Sequence, residues 1–197
     1  MTMIQFLQQN KLLRQIIYKI GSRRARSLIS DFEHHISTKD KILDIGSGTC
    51  IAASLLQNKG YNIYPLDICN ISFVDQMAPV IYDGRRMPFA DDEFDVALIL
   101  TVLHHLEDHE ELINEAKRVA KKIIIVEDIF NGWWHKQITF FLDSLLNLEF
   151  IGHPHSNRSD SGWRNLFKRL GLELLESTEK QIFFIFRLGY YFLSKEA

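Results

Sequence analysis

The chain has 197 residues, of which 23 are Lys or Arg and 25 are Asp or Glu, and this length fits one domain with one buried core. A formal net charge of −2 gives no overall basic field, so we expect no nucleic-acid partner. Only two cysteines are present, which excludes the disulfide framework of small secreted proteins and favours a reduced, cytoplasmic location.

The first segment, residues 1–38, is expected to form a helical cap. Apolar residues recur at spacings of three and four through residues 4–20, which predicts an amphipathic helix. Arg23, Arg24 and Arg26 follow this stretch. We interpret them as a solvated surface beyond the helix, with steering of an acidic substrate as the alternative.

Apolar runs that end in acidic or glycine residues alternate with helix-like segments along the rest of the chain. The predicted strands are residues 41–46, 61–67, 79–84, 94–103, 123–128, 172–178 and 182–194. The predicted helices between them are residues 50–60, 107–122, 133–148 and 161–171. No stable membrane insertion is expected, because the most apolar of these runs is shorter than the ~20 residues of a membrane span.

This order of elements predicts an α/β fold with a doubly wound, mostly parallel, Rossmann-like sheet of seven strands and an N-terminal helical cap. Strands that are apolar on both faces, as in residues 94–103, are typical of a parallel sheet covered by helices. The last two strands are joined too closely for a helical crossover and should form a C-terminal antiparallel hairpin. We expect a single domain, with residues 39–130 as its cofactor-binding half and residues 131–197 as an acceptor-side insert and the hairpin.

The loop after the first predicted strand, GSGTC at residues 46–50, limits the choice of ligand. A dinucleotide-binding fingerprint would place a third glycine where Ile51 stands, and a Walker loop would carry a lysine. The loop contains no basic residue that would neutralise the negative charge of a polyphosphate. Acidic residues lie instead at the ends of the first, second, third and fifth predicted strands, where α/β sheets bind their ligands: Asp44, Asp67, Asp83 and Asp128.

A cofactor with a ribose, an adenine and a positively charged tail suits these residues better. Glycines allow the backbone to approach a ligand closely, Asp67 can hold two ribose hydroxyls, and Asp83 can accept from a base amine. S-adenosylmethionine is such a cofactor.

Two stretches, DIGSGTC at residues 44–50 and YDGRRMPFADDEFDVALILTVLHHLED at residues 82–108, resemble the class I S-adenosylmethionine-dependent methyltransferases, most closely the type 11 branch. Cys50 departs from the pattern, because the family usually has glycine there. The resemblance implies S-adenosyl-L-methionine as cofactor and assigns it residues around its methionine part, its ribose and its adenine. These are Asp44, Gly46, Ser47, Gly48, Asp67, Ile68, Asp83, Gly84, Leu100, Thr101 and His104.

The family has no universal catalytic residue, so the proton acceptor has to be sought among the residues themselves. Neutral imidazole can take a proton near physiological pH, and a carboxylate can do so beside the acceptor. The candidates are His105, His153, His155 and Asp128. No metal site is expected, because the histidine spacing is not diagnostic and no cysteine cluster accompanies it. Cys50 and Cys69 are expected to be small buried side chains.

The predicted function is methyl transfer to the oxygen, nitrogen or carbon of a small, partly apolar molecule. An RNA or protein methyltransferase is the first alternative. The sequence TVLHHL at residues 101–106 differs from the Asn/Asp-Pro-Pro-aromatic element of enzymes that methylate base amines, which argues against nucleic acid. A non-catalytic subunit that keeps the fold is the second alternative, and the oligomeric state stays open.

Overall fold

The computed structural model describes residues 3–129, 158–182 and 186–195, so the predicted helix at residues 133–148 lies outside the described residues. Seven strands form one mixed sheet in the order β3-β2-β1-β4-β5-β7-β6. They are β1 (Lys41–Ile45), β2 (Asn62–Asp67), β3 (Val80–Ile81), β4 (Phe94–Leu100), β5 (Ala120–Asp128), β6 (Leu172–Ile182) and β7 (Phe186–Lys195). The helices are α1 (Met3–Gln9), α2 (Lys11–Phe32), α3 (Ile51–Asn58), α4 (His109–Val119) and α5 (Asp160–Arg169).

The doubly wound, Rossmann-like sheet predicted from the sequence is confirmed. β1 pairs with β2, and β2 with β3, in parallel. β7 is antiparallel to both β5 and β6, so one reversed strand closes the sheet as a C-terminal hairpin. The prediction that the third strand reaches Asp83 is wrong, because β3 ends at Ile81 and Asp83 lies in the turn that follows. Within the described residues, no helix combines the length and apolarity that a membrane span requires.

The chain divides into two compact units, Met1–Leu98 with Arg118–Lys121, and Ile99–Lys117 with Lys122–Ala197. In the first unit, the N-terminal segment predicted as one helix forms two, α1 and α2. The second begins after Asn10, whose side chain caps it by accepting from the N–H groups of Leu12 and Leu13, both at 3.1 Å.

α2 runs on to Phe32, so Arg23, Arg24 and Arg26 lie within the helix and not beyond it. Its buried side chains are Ser22, Ala25, Leu28, Ile29 and Phe32. Gly21 lets α2 approach the start of α3 closely, since a β-carbon there would lie 2.6 Å from Cδ1 of Ile51.

In the second unit, aromatic side chains pack α5 against the hairpin. Trp163 and Phe167 of α5 are buried, and the ring of Phe167 meets Tyr191 of β7 edge-on, with 5.2 Å between centroids. The hydroxyl of Tyr191 donates to Asp160 at 3.0 Å, and burial raises the pKa of Tyr191. A β-carbon on Gly189, two residues away on the same strand face, would lie 2.6 to 2.8 Å from the Tyr191 ring and hydroxyl.

Gly189→Ala should therefore lower the free energy of unfolding by about 1–3 kcal/mol, because a rigid buried ring has no room to move away. Urea denaturation measures the change. In a Tyr191→Leu background the same substitution should cost much less, since the ring that it strikes is gone. An equal cost in both backgrounds would mean that the glycine serves the strand backbone and not the tyrosine.

Candidate functional site

The glycine loop connects β1 to α3 within the first unit. Gly46 and Gly48 have positive φ angles of 69° and 51°, which glycine adopts without the steric cost that a β-carbon imposes. The N–H groups of Gly46 and Ser47 donate to the carbonyl of Leu66 at 2.9 and 3.0 Å. The loop is therefore anchored to β2, and two residues without side chains lie at the carboxyl end of β1.

Asp67 ends β2 and is buried. Its Oδ2 accepts from the N–H of Gly48 at 2.7 Å. Its Oδ1 accepts from the N–H groups of Ile68 and Cys69 at 2.7 and 3.2 Å. One carboxylate thus fixes both the glycine loop and the turn after β2, and its own orientation is set by three hydrogen bonds.

Asp44 is the predicted site residue with the least satisfied surroundings. Its side chain is 2% exposed, and within the described part of the chain Oδ2 has no hydrogen-bond partner. Burial raises the pKa of Asp44 to about 7, and the negative charge of Asp67 adds to the effect. A buried oxygen without a donor is costly, so this position favours a ligand that brings N–H donors and positive charge.

Ile68 and Gly84 lie side by side beyond the ends of β2 and β3. Ile68 is 62% exposed, and a β-carbon on Gly84 would lie 3.4 Å from its Cγ2 atom. Oδ1 of the neighbouring Asp83 accepts from the N–H groups of Arg85 and Arg86 at 2.9 and 3.2 Å, and these hydrogen bonds lower the pKa of Asp83. The exposed apolar side chain of Ile68, the bare backbone of Gly84 and the ionised carboxylate of Asp83 therefore occur together. A flat base that carries an amine would require these three groups.

The two cysteines differ from each other. Cys50 is fully buried, as predicted, with its Sγ 3.6 Å from Oγ of Ser47. Its φ of 57° lies in the left-handed region, which costs a residue with a β-carbon roughly 1–2 kcal/mol and explains why glycine is the family's usual choice. The prediction of burial is wrong for Cys69, which is exposed in the turn after β2.

The N-terminal helices hold the loop that follows Asp67. Nε2 of Gln8 donates to the carbonyl of Ser72 at 3.0 Å. Arg14 donates from Nε to the carbonyl of Phe73 at 3.2 Å and forms an ion pair with Asp75 at 2.5 Å. The cap is thus tied to the loop after Asp67 by hydrogen bonds to two backbone carbonyls and by one ion pair.

In the second unit, the sequence analysis missed Glu127, which is fully buried at the end of β5. Its Oε1 accepts from the N–H groups of Val102 and Leu103 at 2.6 and 2.5 Å, and its Oε2 lies 2.9 Å from Nδ1 of His104. The available signal was a carboxylate directly after a run of buried aliphatic residues. Glu127 therefore fixes both the backbone after β4 and the imidazole of His104.

The other predicted residues of the second unit lie around this carboxylate or outside the described chain. Leu100 ends β4, and Thr101 follows with a φ of 56° and an N–H that donates to Val126 at 2.7 Å. His105 is half-buried, with its ring centroid 4.0 Å from that of His104. Asp128 is half-buried beside Glu127. His153 and His155 lie outside the described residues, and their roles stay predictions.

Comparisons with known proteins agree with this arrangement. Residues 43–124 match the Methyltransf_11 family model, described as a methyltransferase domain. An uncharacterised protein of Methanocaldococcus jannaschii is 38% identical over 115 residues, which are 56% of this chain and 52% of that protein. A ubiquinone biosynthesis O-methyltransferase of Rickettsia bellii is 23% identical over 128 residues, 59% of this chain and 53% of the relative. The chain spans about half the length of these curated relatives.

Among solved structures, a SAM-dependent methyltransferase from Methanosarcina mazei has the same fold, with a TM-score of 0.67 and 17% identity over 84% of this chain and 97% of the other. Residues 43–124 thus match a methyltransferase domain of the type 11 family, which is the resemblance that the sequence predicts, over less than half of the chain. S-adenosylmethionine is the cofactor of the solved methyltransferase that the chain resembles, and the Asp44 oxygen, which lacks a hydrogen-bond partner within the described residues, suits the cationic end of that cofactor.

Proposed function

We propose that this protein transfers the methyl group of S-adenosylmethionine to a small, partly apolar acceptor by in-line displacement. The observation that carries the proposal is the buried Asp44 oxygen without a donor, beside a second carboxylate, Asp67. A cationic ligand with N–H donors would supply the missing hydrogen bond and relieve the repulsion between the two carboxylates. The ammonium group on the methionine part of the cofactor is such a ligand group.

Each remaining part of the cofactor has a chemically suitable partner in the first unit. Asp67 would accept from a ribose hydroxyl at Oδ2, where its three backbone hydrogen bonds leave one lone pair available. Ile68 and Gly84 would lie against the adenine ring, and Asp83 would accept from its amine. Gly46 and Gly48 would allow the methionine part to approach the backbone.

When bound, the cofactor supplies an electrophilic methyl group on a positively charged sulfur. The residues of this chain then have two tasks, holding the acceptor in line and removing its proton where it has one. Geometry of this kind can contribute several kcal/mol to lowering a barrier, which is why the family has no obligatory catalytic set.

We assign proton removal to His104, with Glu127 as the residue that positions it. With the proton of His104 on Nδ1, donated to the Glu127 carboxylate, Nε2 carries the lone pair that a general base needs. The same carboxylate would stabilise the imidazolium that forms. Asp128 and His105 remain the alternative candidates beside it.

Glu127→Gln should keep the fold but reduce kcat by about 100-fold or more, because the amide can donate to Nδ1 and so favour the tautomer whose Nε2 is protonated. The pH profile of kcat, recorded for both proteins, measures the effect. Glu110→Gln, an exposed change on α4 that removes an ion pair with Arg169, is the matched control and should leave kcat unaltered. If Asp128→Asn abolishes turnover while Glu127→Gln does not, Asp128 is the base and the assignment fails.

The composition of the chain, the name of one relative and the two free thiols support the proposed class of acceptor and the proposed cellular location. Residues 131–163 are rich in aromatic and apolar residues, which suits a small, partly apolar molecule. One relative is named as an O-methyltransferase of ubiquinone biosynthesis, which favours an oxygen acceptor. Two free thiols, Cys50 and Cys69, suit a reduced, cytoplasmic compartment.

Calorimetric titration with S-adenosylmethionine, and separately with its demethylated product, tests the cofactor proposal. Micromolar binding of both is expected. Transfer of a labelled methyl group to phenols, carboxylic acids and amines then tests the acceptor class, with total RNA and denatured protein as comparison substrates. Failure of both cofactor forms to bind would overturn the proposal, and preferential labelling of RNA or protein would overturn the small acceptor.

A further inference from the structure

The outer face of α2 is apolar although the helix is already packed against the first unit by its inner face. Leu12, Ile16 and Ile20 are 66%, 46% and 65% exposed. A spacing of four residues places them in one line along the helix, about 12 Å long at 1.5 Å per residue. The sequence predicted this periodicity, but the structure buries Ser22, Ala25, Leu28, Ile29 and Phe32 instead.

The N-terminal segment that carries this face is strongly basic. Residues 1–30 contain six of the 23 Lys and Arg residues and none of the 25 Asp and Glu residues of a chain whose net charge is −2. Arg14 is engaged by Asp75, whereas five other basic side chains of α2 are exposed: Lys11, Lys19, Arg23, Arg24 and Arg26. On a helical projection Lys19 and Arg26 flank the apolar line on one side and Arg24 flanks it on the other.

We propose that α2, with this outer face, docks the protein onto the surface of an anionic lipid bilayer. Exposed aliphatic side chains bordered by Lys and Arg are what an interfacial helix needs, because the apolar line enters the acyl boundary while the cations meet the headgroups. A nucleic-acid surface would use the charges but would gain nothing from Leu12, Ile16 and Ile20. This docking is peripheral, and the helix lies along the membrane plane.

The position of α2 makes such docking compatible with the cofactor site. The contacts of Gln8 and Arg14 with the loop after Asp67 use the inner side of the N-terminal helices and leave the apolar line uninvolved. Substitutions on the outer face should therefore leave cofactor binding intact, which separates a failure of this proposal from a failure of the proposed activity.

Co-sedimentation of the full chain with vesicles tests the proposal. Vesicles of phosphatidylcholine alone should retain little protein, and vesicles of equimolar phosphatidylcholine and phosphatidylglycerol should retain most of it at low salt. Arg23→Gln with Arg24→Gln should weaken partitioning by at least about tenfold. Leu12→Ser, Ile16→Ser and Ile20→Ser together should do the same, through lost burial of apolar area.

Leu175→Ser on β6, where the side chain is 54% exposed, is the matched control and should partition as the unaltered protein does. Circular dichroism and calorimetric titration with S-adenosylmethionine check that every variant is folded. Equal retention on neutral and anionic vesicles, or retention that the α2 variants leave unaltered, would overturn the proposal. So would a dimer that the triple serine variant converts to a monomer, since the face would then belong to a second copy of the chain.

Discussion

Asp67→Asn should weaken binding of S-adenosylmethionine by about 100-fold, the largest loss of affinity that we expect from a single substitution. The carboxylate accepts from three backbone N–H groups, those of Gly48, Ile68 and Cys69. An amide keeps one oxygen and turns an NH2 group toward a backbone N–H, so either the glycine loop or the turn after β2 loses its acceptor. Losing a charge-assisted acceptor and leaving a donor unpaired costs on the order of 2–3 kcal/mol, which corresponds to the expected loss of about 100-fold in affinity.

Calorimetric titration measures the affinity, and urea denaturation should show a parallel loss of about 1–3 kcal/mol in the free energy of unfolding. Asp95→Asn is the matched control. Asp95 also accepts from a backbone N–H and from a lysine, Lys41 and Lys121 respectively, but it begins β4 and so lies at the opposite end of a strand from the site. It should lower stability without altering affinity. An Asp67→Asn protein that is folded and binds the cofactor normally would contradict the assignment of the ribose to Asp67.

The positions of the candidate cofactor residues could be predicted from the sequence because the motifs that carry them are local. Gly46, Gly48 and Asp67 lie at the ends of neighbouring strands, and the order of strands and helices brings such ends to one edge of a parallel sheet. The same argument locates Asp83 but misjudges its strand by two residues, because an Asx-type turn through Arg85 and Arg86 replaces further pairing.

What the sequence could not show depends on three-dimensional burial. The periodicity of residues 4–20 shows which side chains share a face, but the covered side of α2 is decided by packing against α3, where Gly21 meets Ile51. Glu127 was missed for a similar reason: a carboxylate at a strand end is ordinarily solvated, and only the fold reveals that the loop after β4 turns its N–H groups onto it. The left-handed backbone of Cys50 likewise depends on the closed loop around it.

Binding of S-adenosylmethionine should depend on pH through Asp44. In the cofactor-free protein the pKa of Asp44 is raised to about 7, so below that pH the folded protein holds a proton that the ammonium group of the cofactor must displace. Affinity should therefore be about tenfold weaker at pH 6 than at pH 8. The thiol of Cys50, which interacts electrostatically with Asp44, does not titrate in this window, because burial raises its pKa above the ordinary value of 9.0.

The free energy of unfolding should change with pH in the opposite direction to the affinity for S-adenosylmethionine. The folded pKa of Asp44 exceeds the unfolded value of 3.8, so the folded state binds more protons between pH 3.8 and about 7, and its stability falls as pH rises through that range. Asp44→Asn removes this dependence. Relative to the unaltered protein, it should be roughly 2–4 kcal/mol more stable at pH 8 and nearly equal at pH 4, since one pKa unit corresponds to about 1.4 kcal/mol.

The two effects together would identify Asp44 as a group that serves the cofactor at a cost to the stability of the free protein. Asp44→Asn should bind S-adenosylmethionine weakly at both pH 6 and pH 8, without the tenfold difference, because the amide offers the ammonium group no charge. Calorimetry in two buffers of different ionisation enthalpy would count the proton that the unaltered protein releases at pH 6. Equal affinity of the unaltered protein at both pH values, with no proton released, would mean that binding leaves the protonation of Asp44 unchanged and that the cationic end of the cofactor is held elsewhere.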